Sequence, residues 1–343
     1  TPFYGESGGQ LGDRGVIKTE SLVMDVGDTI KPLPNLIVHK GKIVKGELRE
    51  GEIVHLIVDK EVRGAGALNH TATHILHEAL REVLGNHVKQ AGSQVGSDRL
   101  RFDFSHFSAM TDVEIRSVEA IVNDKIRENL SVETRVMSPD EAVKEGAMAL
   151  FGEKYGDLVR VVSVGEFSKE LCGGTHTGRS GDIGIFKIIS EAGVAAGVRR
   201  IEALTGEAAY KNILSVEDYL QEAASILKAR PENLVDRLSK LLQREKELEK
   251  TVSSLKMKLA GGETDGLINN AREIKGVKVL SVKVEISDPK EMKDIADRLK
   301  EKIGSGIIVL GSSDGTKSTL TVAVTGDLTK RYHAGNLVKE LAK

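Results

Sequence analysis

His70 and His74 stand four residues apart in "LNHTATHILHEALREVLG", and Cys172 and His176 stand four apart in "ELCGGTHTG", about a hundred residues later. On a helix, side chains at i and i+4 share a face one turn apart, so the first two imidazoles can converge on one ion. In the second stretch Gly173 and Gly174 free the backbone to turn tightly enough for thiol and imidazole to aim the same way. Three imidazoles and one thiolate suit Zn2+, a borderline-soft ion that takes nitrogen and sulfur in a tetrahedron. Cys172 is the single cysteine of the chain, which excludes an internal disulfide. Spacing alone leaves plainer alternatives open: a lone cysteine is commonly a small buried apolar side chain, and histidines at helical spacing are commonly ordinary core or surface residues. His77, three positions beyond His74, competes as a further ligand or caps a solvent face. A metalloprotease is the weaker use of the helical pair, because Thr71 stands where HExxH carries its general-base glutamate.

The elements that must hold these residues belong to a chain of 343 residues, more than one hydrophobic core usually supports, so two to four domains of roughly 60 to 150 residues are expected. Apolar residues at 40% and charged residues at 29% describe a globular chain and exclude a disordered one. A net charge of −2 means that any nucleic-acid partner is held by local basic patches and not by the overall field. No apolar run reaches the roughly 20 residues of a membrane helix, and the opening "TPFYGESGG" has neither signal-peptide nor transit-peptide character. Sparing use of cysteine fits a reducing, cytoplasmic setting, and the absence of Met at position 1 suggests a fragment or a processed chain.

Residues 1 to about 62 alternate short β-type runs with Gly and Asp/Asn turns, which predicts antiparallel strands closing a small barrel or sandwich. From Leu68 to Gly85 the apolar residues take helical period. "VKQAGSQVGSDRLRFDFSH", "VETRVMS", "VRVVSVG" and "DIGIFKIISEAG" read as strands around the amphipathic helix "TDVEIRSVEAIVNDKIREN", giving an α+β domain that ends near Thr205. The next stretch is almost wholly helical and is punctuated by Pro231. Its second arm places Leu234, Leu238, Leu241, Leu248, Val252, Leu255 and Leu259 in alternating spacing, broken at Glu245, as in a helical hairpin or a dimerising coiled coil. A small α/β domain of order βαββα completes the chain, so the fold class is α+β and multidomain.

Four stretches, "NHTATHILHEALREVLGNHVKQAGSQV", "LRFDFSH", "GAMALFGEKYGD" and "ELCGGTHTGRSGDIGIFKIISEAGVAAGVRRIEALTG", closely resemble the editing domain of bacterial alanyl-tRNA synthetase. "FYGESGGQLGDRG" resembles the segment that precedes it, and the helical arms with the last domain resemble that family's C-terminal region. The resemblance implies a β-barrel domain at 1–62, an editing domain with a zinc site at 63–206, a helical hairpin or coiled coil at 207–262, and a C-terminal tRNA-binding and dimerisation domain at 263–343. It implies His70, His74, Cys172 and His176 as zinc ligands. It also implies hydrolysis of the ester in tRNA for alanine mischarged with serine or glycine, and a homodimer through the coiled region and last domain. The family's aminoacylation domain is expected before Thr1, so this chain is not expected to charge tRNA. Gln90 matches a glutamine that the family uses in editing. Gly173, Gly174 and Thr175 offer backbone N–H groups to developing negative charge, "SGGQ" at 7–10 is expected over the editing pocket, and Arg199 and Arg200 are candidate phosphate contacts. Each has an ordinary reading beside it: an exposed strand residue, a metal-binding turn, a plain turn and a solvated pair. A free-standing editing protein of the same superfamily, and a structural-zinc tRNA-binding module without catalysis, are the competing assignments. Four protein ligands describe a closed zinc site and three with water a catalytic one, and the residues leave both open.

Overall fold

The computed structural model describes residues 1–148, 157–285, 288–313, 315 and 318–342, the side chains of 256–265 excepted. Most of "GAMALFGEKYGD" and the side chain of Leu259 fall outside these residues. Two compact units, Thr1–Leu220 and Gln221–Lys343, divide the chain.

The first unit opens with β1 (Gly15–Lys18), β2 (Val23–Leu33), β3 (Leu36–Lys45) and β4 (His55–Val58), antiparallel in the order β3-β2-β1-β4. The sequence predicts a closed barrel or sandwich; the hydrogen bonds instead leave β3 and β4 as edges of an open sheet, whose small core is Phe3, Ile17 and Val26. Helix α1 (Lys60–Leu84) follows at once, capped at its start by the Asp59 carboxylate, which accepts from the N–H groups of Glu61 and Val62. It starts eight residues before the predicted Leu68, because the cap and first turn overcome the weak helix propensity of Gly64 and Gly66. The helix buries nearly everything from Gly66 to Leu80, polar residues included, so it crosses the middle of the unit.

Against it lies the antiparallel sheet β10-β11-β6-β5, made of β5 (Gln90–Val95), β6 (Leu100–Ser105), β10 (Phe186–Ala195) and β11 (Val198–Thr205). On β6, Leu100, Phe102 and Phe104 are buried while Arg101, Asp103 and Ser105 are half-buried, the period-2 pattern of a strand with one face on the core. Helix α2 (Asp112–Arg127) adds Val118, Val122 and Ile126 to that core beside Ile75, Leu76 and Leu80 of α1. A third sheet, β7-β8-β9, joins β7 (Val132–Met137), β8 (Val159–Val164) and β9 (Ser168–Leu171), with the short α3 (Pro139–Lys144) between the first two. It matters most to the site, because β9 ends where the "CGGTH" turn begins.

Helix α4 (Gly206–Ile226) leaves the first unit, and α5 (Leu234–Leu267) follows a short 3-10 turn at Pro231–Asn233. Leu238, Leu241, Leu248, Val252 and Leu255 of α5 are all about half exposed. The second unit continues with β12 (Arg272–Ile274), β13 (Val277–Lys283), α6 (Pro289–Ile303), β14 (Gly306–Ser313), β15 (Ser318–Val324) and α7 (Ala334–Leu341). Its sheet runs β12-β13-β14-β15, with β13 parallel to β14 across α6 and the outer pairs antiparallel. The short edge strand β12 is the one addition to the predicted βαββα order. The fold is therefore α+β with several antiparallel sheets, and among the described residues no helix is long and apolar enough to cross a membrane.

Candidate metal centre and its pocket

Helix α1 supplies His70 and His74, and the turn after β9 supplies Cys172 and His176. One donor atom from each lies within 4.8 Å of the others. Cys172 Sγ is 3.3 Å from His70 Nε2 and 3.2 Å from His176 Nε2. A tetrahedral Zn2+ with its usual N and S bond lengths separates such donors by about 3.3–3.6 Å, so the gathering has the size of a zinc site.

The second nitrogen of each ring decides whether the first is free to bind. Gln10 Oε1 accepts from the Thr175 N–H at 2.8 Å and lies 2.8 Å from His70 Nδ1, while Gln10 Nε2 donates to Thr175 Oγ1. The amide oxygen is thus the acceptor, which puts the His70 proton on Nδ1 and leaves Nε2 as a lone pair. Glu170 Oε2 lies 2.6 Å from His74 Nδ1, and Thr71 Oγ1 lies 3.2 Å from His176 Nδ1. His74 Nε2 is buried with no hydrogen-bond partner. A buried imidazole nitrogen with no hydrogen-bond partner, grouped with a thiol and two further imidazoles, is the donor set of a metal site, so these residues fit zinc.

The electrostatics agree with that fit. Burial raises the Cys172 thiol, but hydrogen bonds from His176 and His70 and the charge of the His74 ring outweigh it and bring it down to about 2. Burial lowers His74, yet the Glu170 carboxylate and the Cys172 sulfur lift it to about 10. Burial raises Glu170, and His74 and His77 then hold it well below the ordinary carboxylate range. His176 is brought down to about 3, chiefly by burial. The thiolate is therefore formed in advance, the state in which sulfur binds metal.

Local structure explains the turn. Cys172 N–H donates to the Arg160 carbonyl on β8, and the Arg160 guanidinium donates to the carbonyls of Cys172 and Gly174 at 2.9 and 2.6 Å. Neither Gly173 nor Gly174 has a left-handed φ, so the expected need for backbone freedom does not hold. Gly174 is required for another reason: a Cβ there would lie 2.0 Å from His70 Cε1 and 2.7 Å from Gln10 Oε1, whereas at Gly173 it would meet nothing.

A cavity of about 150 Å³ opens beside the cluster, with Tyr4, Ser7, Thr73, Gln90 and Ser93 facing the Cys172–Gly174 turn. The "SGGQ" segment reaches it by pairing with the free edge of β5, where Gln10 bridges Val95 and Val95 N–H donates to the Gly9 carbonyl. Gln90, at the start of β5, donates from Nε2 to Ser93 Oγ at 3.1 Å. Burial pushes the Tyr4 hydroxyl up to about 12, so it stays a protonated donor. On the other side of the turn a larger cleft, about 1230 Å³, is lined by Gly173–Thr177 and by Lys60, Arg63, Arg160 and Lys211.

The structure thus gathers His70, His74, Cys172 and His176, and sets Gln90, Gly173 and Gly174 around the adjoining cavity. Thr175 lines the larger cleft, its N–H already given to Gln10. Arg199 and Arg200 sit elsewhere on β11, in bidentate pairs with Glu191 and Asp103, and neither lines either cavity. His77 is outside the cluster and faces Glu170 Oε1. Sequence reasoning missed Glu170, Thr71 and Arg160. For Glu170 a signal existed, since it stands two residues before Cys172 in the strand that leads into the turn.

Comparison with known proteins fits this architecture. Residues 1–62 match the family described as tRNA synthetases class II (A), residues 159–202 the threonyl and alanyl tRNA synthetase second additional domain, and residues 276–343 the DHHA1 domain. The fold and site therefore define a piece of an aminoacyl-tRNA synthetase built round its second additional domain. Alanine-tRNA ligases of Desulfosudis oleivorans and Acetivibrio thermocellus are 50% and 51% identical over 100% of the chain, and that of Magnetococcus marinus is 52% identical over 98%. The chain belongs to the alanyl-tRNA synthetase family and corresponds to its C-terminal part. It spans 38–39% of the length of these relatives.

Proposed function

We propose that the chain is the proofreading part of an alanyl-tRNA synthetase and hydrolyses the ester joining serine or glycine to tRNA for alanine, in the cytoplasm. The observation that carries this reading is the cavity of about 150 Å³ that three of the four donors, His70, His74 and Cys172, line together with Gln90. A pocket selecting alanine rejects the smaller glycine and the near-isosteric serine poorly, so a second, hydrolytic site has to supply the discrimination. The Tyr4, Ser7, Thr73 and Ser93 groups lining the cavity offer a serine hydroxyl polar partners that alanine has no group to use.

Zn2+ held by His70, His74, Cys172 and His176 would supply positive charge that orients the terminal adenosine and the aminoacyl group. Gln90 presents an amide whose N–H can donate to the ester carbonyl and whose oxygen can accept from the attacking water. Gly173 is the best placed of the three turn residues to donate to developing negative charge, because Gly174 N–H points to Cys172 Sγ and Thr175 N–H is taken by Gln10. The larger cleft, with Lys60, Arg63 and Lys211 on its walls, is the route for the RNA 3′ end. Arg199 and Arg200 would meet phosphate only by exchanging their carboxylate partners. The half-exposed stripe of α5 and the final domain are the surfaces for a homodimer and for further tRNA contact.

The test is release of amino acid from serylated, glycylated and alanylated tRNA for alanine. Serine and glycine are released well above a no-protein control and alanine slowly, with Gln90→Ala losing about 100-fold of the rate, the typical contribution of a positioned proton-transfer or hydrogen-bonding group. Serine release equal to the control overturns the reading. The four protein donors favour a second reading, since they fill a tetrahedron: a closed zinc site in a tRNA-binding module, which retains tRNA affinity but releases nothing.

A further inference from the structure

Glu170 is 3% exposed, and burying a carboxylate so deeply is costly unless its oxygens are paired. It is not among the four clustered donors. Its oxygens are divided between two rings, Oε2 at 2.6 Å from His74 Nδ1 and Oε1 at 2.8 Å from His77 Nδ1. A carboxylate only accepts, so both rings carry their proton on Nδ1. For His74 this leaves Nε2, the nitrogen within the donor cluster, as the atom that would bind a metal on giving up any proton it carries. For His77 it leaves a buried Nε2 without a partner, on a ring packed 5.2 Å from Phe102. His77 thus supplies no ligand, and the hydrogen bond it gives is spent on Glu170.

We propose that Glu170 is a positioning residue that fixes the tautomer and orientation of His74 toward the metal, and that His77 holds Glu170 in place to do so. The proposal rests on the zinc reading above. A purely structural Glu170 would stabilise the metal-free and zinc-loaded chains alike, whereas a positioning one acts on the affinity for zinc.

The test uses the full chain and Zn2+ alone, with affinity measured by competition against a chromophoric chelator. Loss of such an outer partner typically weakens metal binding about 10- to 100-fold, and that loss is expected for Glu170→Ala. Glu170→Gln keeps an acceptor for His74 Nδ1 and turns its amide N–H toward His77, whose unpartnered ring can take the other tautomer, so its affinity is expected within a few-fold of the unaltered chain. Equal affinity in Glu170→Ala and the unaltered chain overturns the proposal, as does Glu170→Gln binding as weakly as Glu170→Ala. Should Glu170→Ala not fold, nitrogen-15 spectra of the unaltered zinc-loaded chain decide: His74 protonated at Nδ1 supports the assignment, and His74 protonated at Nε2 sinks it. Absence of zinc binding by the unaltered chain instead overturns the zinc reading itself.

Discussion

A methyl group at Gly174 would stand 2.0 Å from His70 Cε1 and 2.3 Å from its Nδ1, well inside any tolerable contact, while one at Gly173 would stand in open space. The two glycines are neighbours with the same residue type, yet they answer to different constraints. Relief at Gly174 has to come from the His70 ring, which is locked by Gln10, or from the turn, which is locked by Arg160. Gly174→Ala is therefore expected to displace a ligand and lower zinc affinity by at least about tenfold, the scale of a disturbed metal shell. Gly173→Ala is expected to leave zinc affinity unchanged, although it faces the cavity and can slow deacylation. Chelator competition on both variants reads the difference, and equal loss at the two positions overturns this account of the turn. The same locking explains why Gln10 counts as part of the centre despite lying about sixty residues from the nearest ligand: one side chain holds both His70 and Thr175.

At the scale of elements, the centre exists because α1, the turn after β9 and the edge of β5 are each fixed independently. Helix α2 is one of the supports, packing Val118 and Val122 against the α1 side of the core. It begins with a reciprocal cap in which Thr111 Oγ1 accepts from Glu114 N–H and the Glu114 carboxylate accepts from Thr111 N–H at 2.7 Å. Thr111→Ala is expected to lower stability by about 1 kcal/mol in urea unfolding. The Thr111 hydrogen bonds hold Glu114 below its ordinary value of 4.5, so the cap's contribution is present above that value and is lost as pH falls through the lowered one. The gap between the two proteins should therefore narrow in acid, and a gap that is independent of pH rejects the carboxylate's part in it. Part of this level could be read in advance: the period of α1, the amphipathic helix from Thr111, and the two donor pairs, which spacing suggests and the family resemblance singles out. What the sequence could not show were the partners of those donors, since Gln10, Glu170 and Thr71 reach them across 60, 96 and 105 residues. Thr71 is the clearest case. By spacing it is only the residue that spoils HExxH, and in the fold its hydroxyl is the hydrogen-bond partner of His176 Nδ1. The start of α1 was hidden for a local reason, Gly64 and Gly66 masking a helix whose cap residue Asp59 was in view.

At the scale of the molecule, the two compact units have separate cores. Ile75, Leu80, Phe102, Phe104 and Val122 fill the centre of Thr1–Leu220, and Leu280, Met292, Leu299, Ile308 and Leu310 fill that of Gln221–Lys343. All four metal donors, and Gln10, Thr71 and Glu170 behind them, belong to the first. A ligand that binds only the folded state stabilises what it binds by mass action, about 4 kcal/mol when free ligand exceeds its dissociation constant a thousandfold. In a unit of this size each kcal/mol moves the midpoint by about 2–4 °C, so zinc is expected to raise it by roughly 10 °C. The prediction is a calorimetric trace of the zinc-loaded chain with two transitions, of which a strong chelator lowers one by about that amount and leaves the other in place. A chain ending at Leu220 should keep the chelator-sensitive transition and lose the other. If chelation shifts both transitions together, or neither, then the metal is not confined to the first unit's stability, and the separation of the centre from the C-terminal unit argued from the cores is wrong.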